Sequence, residues 1–415
     1  MSIKRIKIKN FKSFKELDVD LGKFNVLIGA NASGKSNFVQ IFEFLGDIPK
    51  FGLNNAVSIQ GGTEYLRNIN VGASENLSVK VFSEQKFGLG RRKDLIGIKI
   101  YETAYEFALK FKKKGLGFEI VKDILTNKCE FVKLERRKEK IEEKEKLGQG
   151  EINISLANGK VKVDLHKPKG VSITENDILS PFLREEKLPP NILLLQVPLY
   201  FTYPSIKEIF SDISIYDFDP KLPKKATPIT GKAELEEDGS NLSIILKNIM
   251  ENKEKRRKLF NLVKDLLPFI SNLDVEKFAD KSLLFKLQEI YFENQYLPAS
   301  SISDGTINIT ALIVALYFEG KPLTIIEEPE RNIHPYLISK VVDMMKDASQ
   351  KKQIIVTTHN PEVVKHTDLE NLLLISRDEK GFSTTSRPSD KKEVKTFLKN
   401  EIGIEDLYVQ NLLGA

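Results

Sequence analysis

The sequence predicts an α/β protein built on a mixed sheet, with an antiparallel β-subdomain and a largely helical insertion. An apolar run at 24–28 precedes a glycine-rich loop and then apolar residues at helical spacing, in the order strand, loop, helix. Two later apolar runs, at 323–327 and 353–358, end in polar residues, as buried parallel strands often do. Between about Tyr101 and Leu165, alternating runs are separated by Gly, Lys or Asn clusters, which favours antiparallel strands.

Length and composition place the chain among ordinary folded proteins. Its 415 residues suggest two or three structural units. The single cysteine, Cys129, excludes an internal disulfide and a cysteine-rich metal site. A net charge of +6 permits contact with nucleic acid without requiring it. Lysines interrupt the first apolar residues and no later apolar run could span a bilayer, so we expect a cytoplasmic protein without a membrane partner.

The order of patterns along the chain predicts a domain that is split in sequence. We expect 1–175 and 270–415 to form one α/β domain and 176–269 to form a mostly helical insertion or lid. Asn158-Gly159 is typical of a hairpin turn within the β-subdomain. The tract Lys133 to Lys146 mixes charges of both signs, which predicts a solvated helix.

The stretch Gly29-Ala-Asn-Ala-Ser-Gly34-Lys35-Ser36 fits the pattern G-x-x-x-x-G-K-[ST] at every fixed position. Glycines allow a tight turn whose backbone N–H groups surround phosphate oxygens, and the following helix directs its positive end toward them. Lys35 would neutralise phosphate charge, and the Ser36 hydroxyl would bind Mg²⁺. A chance match in a surface turn is the alternative, but both flanking elements agree with the motif. The residues expected to bind nucleotide in this stretch are Gly29, Asn31, Ser33, Gly34, Lys35, Ser36 and Asn37.

Acidic and histidine side chains follow the two other buried strands. Glu327 and Glu328 end the run that begins at Leu323, and carboxyl ends of parallel strands are where α/β sheets bind ligands. Because side chains alternate along a strand, one carboxylate can hold the water shell of Mg²⁺ while the other orients or deprotonates an attacking water. His359 follows the next strand and can reach a γ-phosphate from the same edge.

Two weaker signals have simple structural explanations. Ser303-Asp-Gly-Thr306 precedes an apolar helix, which suits anion binding but equally suits an ordinary helix N-cap. The run Lys253 to Lys258 is the densest basic cluster, and a solvated helix face is the preferred interpretation over a nucleic-acid footprint.

Taken together, these motifs resemble the ABC-type ATPase heads of the RecF/SMC/OLD group, and more closely the bacterial "AAA family ATPase" proteins, which include ATPase subunits of anti-phage defence systems. The resemblance implies a P-loop NTPase fold of the ABC type over nearly the whole chain. It rests on segments that occur in the same order in that group: Ile6 to Phe14, Gly29 to Ser36, Glu237 to Leu242, Ser303 to Thr306, Ile325 to Glu330, Asn332 to Pro335, Thr357 to His359 and Gly403 to Tyr408.

The resemblance implies roles for the matched residues around one nucleotide. Lys35 and Ser36 correspond to the phosphate lysine and the Mg²⁺ ligand of the Walker A motif. Glu327 corresponds to the Walker B acid, where most such heads have Asp, and its longer side chain could still hold a metal-bound water. Glu328 corresponds to the catalytic base and His359 to the switch histidine.

The signature motif corresponds to Ser303 and Gly305, which in this family complete the nucleotide site of another head. Asp304 stands where the family has a glycine. Because its carboxylate would repel a γ-phosphate, we expect it to turn away or to cap the helix. Gln60 is a weak candidate for the Q-loop glutamine.

The resemblance thus implies a head-to-tail homodimer, or a higher homo-oligomer, that binds ATP and Mg²⁺ at its interface. Three functions fit. The first is an ATP-driven clamp acting on DNA or with a separately encoded nuclease-like effector, in phage defence or repair; we expect no room for a C-terminal nuclease domain after His359. The second is an ATP-gated scaffold that scarcely hydrolyses ATP. The third is a transporter motor, which the long separation of Gly29 from Ser303 disfavours.

Overall fold

Two compact units are each assembled from separated parts of the chain. The computed structural model describes residues 2–91, 95–113, 117–137, 140–197, 210–278, 281–292, 295–400 and 402–413. The first unit comprises Met1–Leu21, Ser36–Ile213 and Arg377–Thr385. The second unit comprises Gly22–Lys35, Ser214–Ser376 and Ser386–Ala415.

An antiparallel sheet of seven strands forms the first unit. Its order is β2-β1-β4-β5-β6-β7-β8. Alternating burial is clear on β1, where Ile6 and Ile8 are fully buried and the residues between and beside them are not. The expectation of antiparallel strands between Tyr101 and Leu165 is confirmed. The strands are β1 (Ser2–Phe11), β2 (Phe14–Asp20), β4 (Leu77–Arg91), β5 (Ile96–Phe111), β6 (Phe118–Arg137), β7 (Lys140–Ala157) and β8 (Lys160–His166).

The expected hairpin turn lies between β7 and β8. Ala157 pairs with Lys160, so Asn158 and Gly159 form a two-residue loop. Both have positive φ, 53° and 76°. Asn and Gly are the residues that adopt this conformation most readily, which explains why the sequence pattern identified the turn.

The predicted helix at Lys133 to Lys146 is wrong, because the described residues of this tract extend β6 and β7. Lys133 lies opposite Glu145, and the Lys146 ammonium is 3.0 Å from the Glu130 carboxylate on the facing strand. Opposite charges therefore pair across the ladder instead of along a helix face. Residues 138–139 lie outside the described chain.

A sheet with a parallel core organises the second unit. Neighbouring strands run in the order β16, β3, β15, β14, β9, and the pairs β16/β3, β3/β15 and β15/β14 are parallel. A smaller antiparallel sheet contains β10, β12 and β11, with β13 against β12. The strands are β3 (Phe24–Ile28), β9 (Ile213–Tyr216), β10 (Thr227–Pro228), β11 (Ile270–Phe278), β12 (Ser282–Glu289), β13 (Leu297–Pro298), β14 (Leu323–Glu327), β15 (Gln353–Thr358) and β16 (Leu372–Arg377); the short β17 is Ser383–Ser386.

Helices of the second unit share an apolar cluster with its central strands. That cluster combines the central strands with α7 and α8, whose inward residues include Leu312 and Val342, both fully buried. No helix of the described residues is long and apolar enough to cross a membrane. The helices are α1 (Lys35–Phe51), α2 (Leu53–Ile59), α3 (Thr63–Leu66), α4 (Pro181–Glu185), α5 (Leu242–Met250), α6 (Lys253–Leu266), α7 (Asp304–Tyr317), α8 (Pro335–Ala348), α9 (Pro361–Lys365), α10 (Lys392–Lys399) and α11 (Ile404–Val409).

The mixed sheet core and the antiparallel β-subdomain agree with the predicted fold class. One of the boundaries between the compact units, at Ile213 and Ser214, falls within the stretch 176–269. In that stretch the described helices are α4, α5 and α6, joined by short strands and 3₁₀ turns. The assignment of 176–269 as a separate insertion or lid stays a prediction.

A buried carboxyl group links β6 to the chain near Leu194 in the first unit. Asp123 is 1% exposed and accepts hydrogen bonds from the Tyr105 hydroxyl at 2.8 Å and the Leu194 N–H at 2.7 Å. Burial raises the pKa of Asp123 from 3.8 to about 7, and the two donors only partly oppose this.

We predict that Asp123 makes the stability of the protein depend on pH. Because its folded pKa is raised, the stabilising protonated form is fully populated below pH 3.8 and is lost as the pH rises through about 7. The wild-type free energy of unfolding should therefore fall between about pH 4 and about pH 7, by up to a few kcal/mol, more steeply than that of Asp123→Asn. Urea unfolding at several pH values measures this. Asp164→Asn, at an exposed site on β8, should keep the wild-type slope; equal slopes in all three proteins would contradict the prediction.

Candidate active site

The loop between β3 and α1 can form only with glycine at its first position. All five residues of β3 are buried, so the strand fixes where the loop begins. A Cβ at Gly29 would overlap the carbonyl oxygen of Ile375. Gly34 has φ of 116°, which disfavours any residue with a side chain, and Ala32 adopts a left-handed φ of 60°. The backbone of the loop is thus tightly constrained.

Lys35, the first residue of α1, folds back over this loop. Its ammonium donates to the carbonyl oxygens of Gly29 at 2.7 Å and Ala30 at 3.1 Å. Partial burial lowers the pKa of Lys35, while the carboxylates of Glu328, Glu327 and Glu330 act in the opposite direction. A phosphate that approached the loop would therefore meet an ammonium group already held at its centre.

The other predicted residues of the loop differ in accessibility. Ser33 and Gly34 are buried, whereas Asn31 and Ser36 are exposed. Ser36 and Asn37 are the second and third residues of α1, directly after Lys35. Their contacts with nucleotide stay predictions.

The parallel register brings the end of β14 beside the end of β15. Glu327, the last residue of β14, lies opposite Thr357. The next residue, Glu328, has a left-handed φ of 44°, and its N–H donates to the Thr357 carbonyl at 2.9 Å. This strained turn sends the Glu328 side chain away from the strand direction, and such strain is characteristic of functional sites.

Glu328 is the acceptor at the centre of a charged cluster. One carboxylate oxygen lies 2.7 Å from His359 Nδ1, and the other accepts from the Arg331 guanidinium at 3.1 Å. Burial alone would raise the pKa of Glu328, but the hydrogen bonds and charges of Arg331 and His359 outweigh it, so the pKa is lowered. Glu328 is therefore held ionised. The His359 side chain is about half exposed, at 51%.

A second carboxyl group, on Glu330, fixes the backbone around His359. Glu330 is 6% exposed, and Thr358 donates to its Oε1 at 2.5 Å. The same Thr358 hydroxyl accepts the N–H of Asn360 at 3.0 Å. Burial raises the pKa of Glu330. Glu330, which follows β14, thus fixes Thr358, and Thr358 in turn fixes Asn360 on the other side of His359.

Arg331 was missed by the sequence interpretation. Its guanidinium bridges two carboxylates: it donates to Glu328 at 3.1 Å and to Asp217 at 2.8 Å. Asp217 directly follows β9, more than a hundred residues earlier in the chain. Its position directly after Pro329-Glu330 could have marked Arg331 as part of the site. Nothing in the sequence identifies Asp217 as its partner.

The segment Ser303 to Gly305 forms the beginning of α7. The Ser303 hydroxyl caps the helix by accepting the Thr306 N–H at 3.2 Å, and Ser303 itself is exposed. The Asp304 carboxylate lies 2.5 Å from the ammonium of Lys224. This ion pair neutralises the unusual aspartate, in line with the expectation that it turns away from a phosphate.

Gly305 lets α7 approach the loop that follows Glu330. A Cβ at this position would lie 2.5 Å from the Asn332 carbonyl oxygen. One turn further along, the Asn308 side chain donates to the Arg331 carbonyl at 2.7 Å. Further along the loop, the His334 ring caps α8 by accepting the Tyr336 N–H at 3.3 Å. The helix of the predicted signature motif is therefore coupled to the segment that carries Glu328 and Arg331.

Carboxyl groups near the lysine of the loop are the kind of ligand that a Mg²⁺–phosphate site requires. Three carboxyl groups, from Glu327, Glu328 and Glu330, lie within electrostatic reach of Lys35. Carboxylate and hydroxyl oxygens are the ligands that Mg²⁺ prefers. Carboxyl groups near Lys35 are thus of the type that suits Mg²⁺, and the assignment of Ser36 and Glu327 as its ligands stays a prediction.

Comparison with known proteins gives one family match and several partial relatives. The family model described as "AAA domain, putative AbiEii toxin, Type IV TA system" matches residues 24–365. The chain is 30% identical over 117 residues to Septu protein PtuA of Bacillus mycoides (strain KBAB4), covering 25% of this chain and 16% of that protein. It is 41% identical over 58 residues to Endonuclease GajA of Bacillus cereus (strain VD045), covering 14% and 10%.

These partial matches span less than a fifth of the length of either relative. Among solved structures, the chain is similar to an Smc head bound to the C-winged helix domain of ScpA. That similarity has a TM-score of 0.47 and 16% identity, and it covers 93% of this chain and 98% of the other.

We predict that Gly305→Ala destabilises the second unit. The new methyl group would collide with a backbone carbonyl that cannot rotate away, at a cost of about 1–3 kcal/mol. Urea unfolding of the variant measures this cost. Gly320→Ala is the matched control, because a Cβ at Gly320 meets nothing within 4 Å. Equal stability of the two variants would show that α7 has room to move.

Proposed function

The chain belongs to the family described as "AAA domain, putative AbiEii toxin, Type IV TA system", and from that premise we propose that it binds and hydrolyses ATP at the interface of a head-to-tail dimer. Membership agrees with the resemblance to ABC-type ATPases of the RecF/SMC/OLD group that the sequence showed. The observation that carries the proposal is the contact between Glu328 and His359. His359 follows β15, and β15 is paired with β3, the strand that leads into the loop of Lys35.

Each residue of the site has a chemical task in this proposal. The loop N–H groups and Lys35 bind the β- and γ-phosphates, and Lys35 exchanges its two carbonyl acceptors for phosphate oxygens. Mg²⁺, held by Ser36 and Glu327, would neutralise phosphate charge. Glu328, kept ionised by Arg331 and His359, accepts a proton from the attacking water. His359 is exposed enough to reach the γ-phosphate.

A second copy of the chain would complete the site. A γ-phosphate in the transition state needs donors on several sides, and one copy supplies Lys35 and His359. The exposed Ser303 caps helix α7, and Gly305 lies in its first turn. The positive N-terminal end of such a helix suits an anion. A two-fold axis would bring these residues to the partner's nucleotide and create two equivalent sites.

We further propose that closure of this dimer acts on DNA, on a separately encoded nuclease-like effector, or on both, in phage defence or DNA repair in the cytoplasm. The resemblance to defence-system ATPases supports this role, as does a relative whose name is that of an endonuclease. An ATP-gated scaffold with very slow hydrolysis is the alternative. Turnover that rises with added DNA favours the clamp, and turnover near zero under all conditions favours the scaffold.

The dimeric site predicts complementation between two inactive variants. Lys35→Ala removes the phosphate ligand of its own site, and Ser303→Arg blocks the surface offered to the partner. In an equimolar mixture, half of the dimers are mixed and each contains one intact site, so ATPase activity should recover to about a quarter of the wild-type value.

Steady-state phosphate release from the separate and mixed variants measures this recovery. Ser58→Arg, at an exposed site on α2, is the control for the added arginine and should leave activity unchanged. If cross-linking demonstrates mixed dimers but activity does not return, the shared site is excluded.

A further inference from the structure

The C-terminal helix α11 contacts the phosphate-binding loop through a single hydroxyl group. Tyr408 on this helix donates to the Gly29 carbonyl oxygen at 3.3 Å. The same oxygen accepts the Lys35 ammonium at 2.7 Å. Because a carbonyl oxygen has two lone pairs, both donors can be accommodated together. Gly29 is buried, so its carbonyl depends on such partners for its hydrogen bonds.

The position of Tyr408 is fixed by the packing of its short helix. Leu407 is fully buried, and Leu413, just beyond the helix, is 1% exposed in the core of the second unit. The helix ends at Val409; two residues beyond it, Asn411 has a left-handed φ of 59°, and the Leu412 N–H donates back to the Leu407 carbonyl at 2.8 Å. This closed end fixes the backbone on either side of Tyr408.

The same helix also lies against the element that follows His359. Helix α11 packs on α9, which begins at Pro361, and the Glu405 carboxylate is 3.9 Å from the Lys365 ammonium. Helix α11 thus touches the loop that would hold the phosphates and the helix that begins beside the predicted switch histidine. One helix therefore contacts two elements of the proposed site.

We propose that Tyr408 is a positioning residue that favours the release of Lys35 from the loop to a bound phosphate. The proposal rests on the proposed ATP site. When Lys35 turns to a phosphate, the buried Gly29 carbonyl loses one donor, and the Tyr408 hydroxyl remains as its partner. Without this hydroxyl, the departure of Lys35 would leave a buried carbonyl unpaired, and the cost would appear as weaker binding of the β-phosphate.

Burial raises the pKa of Tyr408, which keeps the hydroxyl protonated as a donor. The effect should be confined to ligands that recruit Lys35. ATP and ADP carry the β-phosphate that the loop surrounds, whereas AMP does not reach it. Discrimination between ADP and AMP therefore separates a role at the loop from a general loss of structure.

Calorimetric titration of the full chain with ADP, AMP and a non-hydrolysable ATP analogue tests the proposal. In Tyr408→Phe, the dissociation constants for ADP and the analogue should rise about threefold to tenfold, as expected for the loss of one hydrogen bond. Affinity for AMP and the melting temperature should stay at wild-type values. In turnover, KM for ATP should rise while kcat stays within about twofold of the wild-type value. Tyr291→Phe, at a site 71% exposed in the second unit, is the matched control and should bind like the wild type.

Equal affinities for ADP in Tyr408→Phe and Tyr291→Phe would overturn the proposal. So would a parallel loss of AMP affinity or of thermal stability, since either would indicate a general structural effect. Failure of the underlying ATP site has a different signature, because the wild type itself would then bind neither ADP nor the analogue. Should Tyr408→Phe fold poorly, Tyr408→Leu, which also removes the hydroxyl and keeps an apolar side chain, should bind AMP normally and ADP more weakly.

Discussion

The parallel register of three neighbouring strands is the constraint on which the candidate site depends. Leu27 on β3 lies opposite Thr357 on β15, which in turn lies opposite Glu327 on β14. The strands consequently end at one level, and the segments that leave them carry Lys35, His359 and Glu328. Apart from Glu327, every residue of these strands is buried, so a shift of one residue would move each packed side chain to the opposite face of the sheet. Packing of the core therefore also fixes the positions at which Lys35, His359 and Glu328 leave the sheet.

Charge at this edge of the sheet is balanced by pairing. Glu328 shares its carboxylate between Arg331 and His359, while Glu330 is buried and bound to Thr358. A bound triphosphate would add negative charge to this cluster, so Lys35 and His359 are the groups best placed to respond. The ion pair between Lys224 and Asp304 performs the corresponding task at the start of α7. Glu328 and Asp304 thus each have a basic partner, whereas the buried Glu330 has the neutral Thr358 hydroxyl.

Much of the fold could be anticipated from local pattern, and much of the site could not. The β3 run, the Asn158-Gly159 turn and the strand ending at Glu327 are local features, which is why hydrophobic periodicity and turn chemistry identified them. The helix predicted at Lys133 to Lys146 failed because mixed charges can pair across strands as well as along a helix. Contacts between distant segments, such as Arg331 with Asp217, depend on topology that no single stretch encodes. The roles of all the predicted site residues, from Lys35 and Ser36 to Glu328 and His359, stay predictions.

The central claim is that ATP, bound between Lys35 and Glu328, joins two copies of the chain. Sedimentation of Glu328→Gln in Mg²⁺ with ATP, with ADP and without nucleotide tests this claim most directly, because the variant should bind ATP without hydrolysing it. We predict that ATP alone doubles the sedimenting mass, from 47.2 kDa if the chain is otherwise a monomer. The doubling should disappear when Lys35→Ala is added to Glu328→Gln. An identical mass in ATP, ADP and no nucleotide would contradict the account.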